Sequence, residues 1–348
     1  MNYALFIKFR NLGDSVILTS AIQAMPSSFG VDVLCFEDSK EIFVSNPRVR
    51  HVFSMSREGT KLQRIFSKIR LIAKIWQENY EVCIHFSGEL RGVFLGSFSN
   101  ARRKVILNDQ RNLLIKKLLG WRLVRINKVN RHSVQLDLDL LRSENLFPEL
   151  SKPPNYFFPI TNSAATRVDR WLREHSLAQR RFVLIHAASR WTFKQLPLTV
   201  WVELIGQLRT KFPLEIVLSG SSGDILLNDK LSRLVHPCLP YPMDFSLAET
   251  AALYSKAHLL ISIDSLSIHL ASAVGLPTAA IFGPSGEANW APWGVPYRIV
   301  EQSSRFPCRP CGRDGCGGSK ASDCLITMPS SSVLYAVESL ISELNVYA

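Results

Sequence analysis

The sequence lacks any apolar run close to the roughly 18 uncharged residues that a membrane-spanning helix needs. Its opening is not expected to act as a secretory leader. The opening MNYALFIKFRNLGDS has an apolar stretch of about four residues, with basic residues directly behind it. These two absences predict a soluble, cytoplasmic protein. The three-glycine fingerprint of dinucleotide-binding folds is missing as well. Gly13 stands alone in the first strand–turn–helix, Ile7 to Asp14, which weakens a dehydrogenase reading. There is no recognisable nucleic-acid module and no interleaving of surface aromatics with basic residues, so a nucleic-acid partner is not expected.

Acidic residues are scarce relative to basic ones: 29 against 41, a net charge of +12 over 348 residues. The imbalance is uneven, with 23 basic and 14 acidic residues in positions 1–150 and 18 and 15 in the remainder. The first half therefore carries most of a positive field, which attracts phosphorylated or anionic partners.

The length suits two domains better than one core. Segments 3–9, 31–36, 80–86 and 103–107 read as strands, with helices after the first, over 38–46 and over 60–79. The proline-rich segment from Pro148 to Pro159 reads as a linker. A second series follows. Strands are predicted over 182–188, 214–220, 258–264 and 278–284, and helices over 163–176, 197–212 and from Ser265 to Gly275. The expected organisation is an α/β Rossmann-like domain over 1–155, a second over 156–330 and a terminal helix over 331–348 that packs back toward the first domain. Strands alternating with helices argue for parallel sheets, whose ligands bind beyond the carboxyl ends of the strands, in a cleft between the two halves.

Four motifs sit at such strand ends. In Lys8–Phe9–Arg10–Asn11–Leu12–Gly13–Asp14, Gly13 permits a sharp turn and Asp14 stands at a helix entrance, either as a helix cap or as a functional carboxylate. In the loop from His186 to Pro197, Ser189, Arg190, Thr192 and Lys194 gather hydroxyls and cations suited to a diphosphate, or form an ordinary solvated loop. The third motif, from Ser262 to Ala273, ends a buried strand at Asp264 and starts a helix at once. The backbone N–H groups of Ser265 to Ser267 would form an anion site, with His269 one turn in. The fourth, from Leu218 to Asp224, is a small-residue turn in which Asp224 either accepts from a ribose hydroxyl or caps the next helix.

Together, FRNLGDSVILT, RWTFK and DSLSIHLASAVGLPTAAIFGPSGEANWAPWG resemble glycosyltransferase family 9, the ADP-heptose-dependent heptosyltransferases of lipopolysaccharide core assembly. The resemblance covers nearly the whole chain in the right order, and the RWTFK loop and cysteine-rich tail look most like the third heptosyltransferase of the inner core. It implies the GT-B fold, two Rossmann-like domains facing across a cleft, and an inverting transfer with ADP-heptose as donor and no cofactor. By that likeness Asp14 is the general base that deprotonates the acceptor hydroxyl. Ser189, Arg190 and Lys194 meet the donor diphosphate, and Asp264, Ser265, Leu266 and His269 hold the donor, with Asp224 at the ribose. Leu266 stands where many relatives carry a small residue, which bears on sugar placement. Arg10, Asn11, Arg57 and Lys61 are candidates for the acceptor, a phosphorylated glycolipid at the inner face of the inner membrane. The rivals are another nucleotide-sugar transferase or epimerase of the same fold, and a non-catalytic basic binding protein.

Two features remain. Cys308, Cys311, Cys316 and Cys324 place four thiols within 17 positions, readable as a structural zinc site, as reduced thiols or as disulfides. Cys35, Cys83 and Cys238 lie in or beside apolar runs and read as core thiols. Arg57, Lys61, Arg64 and Lys68 recur at helical spacing and predict one basic face, with Leu62, Ile65, Phe66, Ile69, Ile72 and Trp76 on the other side, packed on the sheet. With Arg102, Arg103 and Lys104, that basic face is expected to contact anionic lipid or the phosphorylated core and so hold the protein loosely at the membrane.

Overall fold

A computed structural model describes every residue except Glu149, Leu150, Arg180, His236, Cys238, Met243 and residues 345–348. Cys238, read above as a core thiol, lies outside the described residues, as do two positions of the proline-rich segment and the last four of the terminal one. The chain divides into two compact units, Met1–Pro159 and Ile160–Ala348.

The first unit is built on β1 (Asn2–Lys8), β2 (Phe29–Phe36), β3 (Val49–Met55), β4 (Asn79–His85), β5 (Asn100–Leu107) and β6 (Arg122–Val124). They form one parallel sheet in the order β3-β2-β1-β4-β5-β6. Ala4 to Ile7 of β1 are wholly buried, as a central strand covered on both faces must be. The Leu90–Ser97 helix lies directly on that centre because Gly92 and Gly96 face it. A Cβ at Gly92 would stand 2.3 Å from His85 Nε2, and one at Gly96 2.6 Å from Ile7 Cδ1.

The second unit carries β7 (Phe182–His186), β8 (Glu215–Leu218), β9 (Leu259–Ile263), β10 (Thr278–Ile281) and β11 (Tyr297–Val300), also parallel, in the order β11-β10-β9-β7-β8. The Ser330–Glu343 helix packs on the Leu198–Lys211 helix and against β10 and β11 of its own unit. Arg298 of β11 ties it down, reaching Ser339 Oγ at 3.0 Å and Glu343 at 2.6 Å.

Strand order fixes where ligands can go. In each sheet the chain first builds outward on one side of its opening strand and then crosses to the other. That reversal falls between β1 and β4 in the first unit and between β7 and β9 in the second. At such a reversal the loops leaving two neighbouring strands diverge and open a crevice at the carboxyl edge.

The Lys61–Trp76 helix departs from expectation in two ways. It starts after Thr60, whose hydroxyl accepts from Gln63 N–H while the Gln63 side chain accepts from Thr60 N–H. Gly59, at φ +95°, turns the chain just before it. Arg57 therefore lies outside the helix, its guanidinium 3.7 Å from the centre of the Phe36 ring. Of the apolar side, Ile72 packs on the core beside the buried Leu71 and Ile75, while Leu62, Ile65, Phe66, Ile69 and Trp76 are exposed. Nor do the three basic residues of β5 join a free face. Arg102 and Arg103 pair with Glu81, Arg103 also with Glu144, and Lys104 donates to Ser97 O.

Candidate active site

Asp14 is the third residue of the Leu12–Ala24 helix, and Asn11 is its N-cap. Lys8 ends β1 just below it. The Lys8 ammonium makes a buried ion pair with Asp137 of the Ser133–Arg142 helix, at 2.7 and 3.0 Å. From the neighbouring loop after β4, Ser87 Oγ accepts from Phe9 N–H at 3.3 Å. Glu89 Oε1 pairs with Arg10 Nε at 2.8 Å. The two loops of the first reversal point are thus laced together around Asp14.

The electrostatics follow from that packing. Burial pushes the Asp14 carboxyl above the usual carboxylate range, and the neighbouring Glu89 pushes the same way. Lys8, Arg10 and a backbone hydrogen bond from Asn11 pull it back. Asp137 is pushed up to about 6 by burial, against the pull of Lys8. His85, under the same loop, is driven toward its neutral form by burial. A carboxylate with a raised pKa, flanked by two cations, is a stronger proton acceptor than an ordinary aspartate.

The rim is basic. Arg10 is half-exposed, and Arg57 and Arg91 both lie over the Phe36 ring, past the end of β2. Lys61 stands further out, exposed at the head of its helix. A hollow of about 560 Å³ opens past β5 and β6, lined by Asn108, Gln110, Leu113, Arg125, Ile126 and Asn127.

In the second unit, His186 of β7 pairs with Ser262 of β9, so the loops leaving these strands are neighbours. Lys194, at the end of a single 3-10 turn (Thr192–Lys194), reaches Asp264 Oδ2 at 2.5 Å. Asp264 is buried, and Lys194 is mostly so. Ser265 caps the Leu266–Ala273 helix, and its hydroxyl accepts from Ser267 N–H. The Ser267 N–H expected to be open to an anion is thus held by the cap, and Ser262, Ser265 and Ser267 form a hydroxyl chain at 2.5 and 2.6 Å. His269 is buried one turn in, edge-on to Trp290. Leu266, the first helical residue, is half-buried.

The remaining donor candidates lie close by. Ser189 Oγ accepts from Trp191 N–H and shapes the loop, and Arg190 is exposed. The Asp224 carboxylate accepts from the Ser221 backbone and hydroxyl at 2.8 and 2.7 Å, which closes a local turn.

The four-cysteine segment folds against this loop. Ser322 Oγ donates to Phe193 O, and Thr192 Oγ1 to Lys320 O. Its anchor is Arg309, buried on Gly283 O, Ser303, Glu287 and Glu301. Cys308, Cys311 and Cys316 are at least partly exposed and Cys324 is buried, all as free thiols. Burial pushes the Cys324 thiol up to about 11. Among the described residues, the set whose ligand atoms lie within 4.8 Å of one another is Asp32, His51 and Glu78, not the thiols. That set already holds a cation: Arg50 reaches Asp32 at 2.7 and 3.0 Å and Glu78 at 2.7 Å, toward the amino ends of the strands and away from the reversal point.

The sequence reading missed Ser87, Glu89, Arg91, Asp137 and Arg309. One signal was present for Asp137: it interrupts the apolar face formed by Val134, Leu138 and Leu141, a place where a carboxylate needs a partner. Asp137→Asn is expected to cost about 3–5 kcal/mol of stability, since it leaves the Lys8 charge buried and unpaired. The readout is a fall in Tm that Lys8→Met in the same chain largely restores. A single substitution with unchanged Tm would remove the pair from the stabilising contacts.

Comparison with known proteins bears on family and fold. The profile of Glycosyltransferase family 9 (heptosyltransferase) matches residues 68–321. Lipopolysaccharide heptosyltransferase 3 of Escherichia coli is 23% identical over 297 residues, 81% of this chain and 83% of that protein. The crystal structure of a family 9 glycosyl transferase from Veillonella parvula superposes with a TM-score of 0.82 at 15% identity, over 98% of this chain and 97% of that one. E. coli heptosyltransferase WaaC with ADP-2-deoxy-2-fluoro heptose superposes with a TM-score of 0.69 at 18% identity, over 97% and 99%. Two helix-flanked parallel sheets matched end to end by these structures are the GT-B fold. With its profile matched over most of its length, this chain belongs to glycosyltransferase family 9, the heptosyltransferases.

Proposed function

We propose that this protein transfers a heptose from ADP-heptose to a hydroxyl of the phosphorylated inner core of lipopolysaccharide, with inversion at the anomeric carbon. The observation that carries the reading is Asp14 at the first reversal point, raised in pKa and flanked by Lys8 and Arg10. In the proposed step Asp14 takes the acceptor proton as the acceptor oxygen bonds to the anomeric carbon. The bond from that carbon to the ADP oxygen breaks, and ADP leaves with the electron pair. Lys194, Arg190 and the start of the Leu266–Ala273 helix stabilise the departing charge. Asp264, Ser265, Leu266 and His269 position the donor, and Asp224 lies toward the ribose. Arg10, Asn11, Arg57 and Lys61 meet acceptor phosphate, with Arg91 added to that rim.

The donor assignment draws on family membership and on the WaaC structure that contains an ADP-heptose analogue. The likeness to heptosyltransferase 3 supports that subgroup. The acceptor places the enzyme peripherally on the cytoplasmic face of the inner membrane, and no helix among the described residues is long and apolar enough to cross one.

The test is nucleotide release over a panel of ADP-, UDP- and GDP-sugars, together with the core mass of lipopolysaccharide from a strain lacking the protein. ADP-heptose alone should be turned over, and the mutant core should lack one heptose. Release from another donor in preference to ADP-heptose would instead favour a different transferase or an epimerase. In this proposal side-chain cations supply the leaving-group stabilisation. Thorough chelation should therefore leave initial rates unchanged, and an immediate loss restored only by a divalent ion would overturn the metal-independent step.

A further inference from the structure

The Lys61–Trp76 helix is a folded, capped element with its apolar side in solvent. Every residue from Lys61 to Arg70 is exposed, so the first ten positions project from the body of the unit. Leu62, Phe66 and Trp76 are 67%, 62% and 60% exposed, and Ile65 and Ile69 are more than half exposed. At 3.6 residues per turn these five fall within about 100° of arc. Leu71 and Ile75, which anchor the helix to the sheet, lie roughly opposite. Lys61 and Lys68 flank the apolar stripe on one side, and Arg70 and Lys74 on the other; Arg64 falls on the side of Leu71 and Ile75. The helix carries five basic residues and no acidic one.

An apolar stripe this exposed needs a partner, and the charge selects which. A second copy would bring two sets of like charges together around the apolar contact. An anionic lipid surface answers both features. It takes apolar side chains into the acyl boundary and presents negative headgroups to basic residues on both flanks. The helix is too short and too charged to span a bilayer, but it suits lying in the interface. We propose that Lys61–Trp76 is an interfacial helix that inserts Leu62, Ile65, Phe66, Ile69 and Trp76 into an anionic membrane, with Lys61, Lys68, Arg70 and Lys74 on the headgroups. This deepens the peripheral placement proposed above. It replaces a purely electrostatic basic face with an inserted apolar one.

The experiment is co-sedimentation of the full chain with phosphatidylglycerol–phosphatidylethanolamine vesicles, without donor or acceptor, at low and high salt. Wild type should bind at low salt and retain part of that binding at high salt. A variant with serine at Ile65, Phe66 and Ile69 should lose binding by about tenfold or more at both salts. Its Tm and ADP affinity should be unchanged, since these side chains are more than half exposed and lie outside the apolar core of the unit. Quenching of Trp fluorescence by brominated lipid should fall in Trp76→Phe. Wild type that fails to bind at low salt, or a triple variant that binds like wild type, overturns the proposal. So does concentration-dependent dimerisation that the serine variant abolishes while vesicle binding persists. The transferase reading is tested separately by donor turnover in detergent-dispersed acceptor, so either can fail while the other stands.

Discussion

Asp14→Asn is expected to lower kcat by about 100-fold or more while leaving ADP affinity near normal, because it removes the proposed base and keeps the shape of the side chain. The structure also allows catalytic loss to be told apart from unfolding. The Asp14 carboxyl is held above the usual carboxylate range, chiefly by burial. The folded state therefore binds that proton more tightly than the unfolded state. It follows that the stability contribution of Asp14 falls as pH rises from the ordinary carboxylate value through the raised one. Asparagine removes that cost, so Tm near neutral pH should hold or rise. In wild type the acidic limb of kcat/KM should fall off at a pH above that expected of an ordinary aspartate, and the variant should lose that limb. A variant with half the wild-type turnover would take the base assignment away from Asp14, as would an acidic limb at the ordinary carboxylate position.

What could be read from the sequence divides along physical lines. Central strands are buried on both faces and appear as unbroken apolar runs. YALFIKF, YEVCIHF and HLLISID therefore announced β1, β4 and β9. The strands that went unnoticed are β3, β6 and β11. All three lie at or beyond the flank of a sheet, where VRHVFSM and YRIV alternate with polar residues and RLV is too short to show a period. Strand-end motifs were legible because glycine, serine and aspartate after an apolar run mark a crevice. Their pairings were not. Neither Lys194 with Asp264, 70 positions apart, nor Lys8 with Asp137, 129 apart, is a local relation. Each exists because parallel strand order and helix packing bring distant segments together. Helical period named the apolar stripe of Lys61–Trp76 correctly, but period alone does not say whether a stripe meets a sheet or solvent.

Lys194→Ala is expected to weaken ADP binding and slow transfer together, since a cation at the diphosphate acts on the ground state and the transition state alike. A charge-assisted hydrogen bond contributes about 1.5–3 kcal/mol, so the loss in kcat/KM should be about ten- to a hundredfold. The Asp264 contact sharpens the test. An ammonium has three N–H donors, and Asp264 engages one of them at 2.5 Å, which aims the group while leaving donor capacity for phosphate. Alanine therefore does two things: it removes the phosphate contact, and it strands a buried carboxylate beside the Leu266–Ala273 helix. The second effect lowers stability and can be separated from the first. Lys194→Ala with Asp264→Asn should recover much of the lost Tm, because no uncompensated charge is left behind. It should not recover ADP affinity, because the cation is still absent. If the double variant regained both, Lys194 would be a structural partner of Asp264 and not a donor contact. Unchanged ADP affinity and rate in the single variant would remove it from the site altogether.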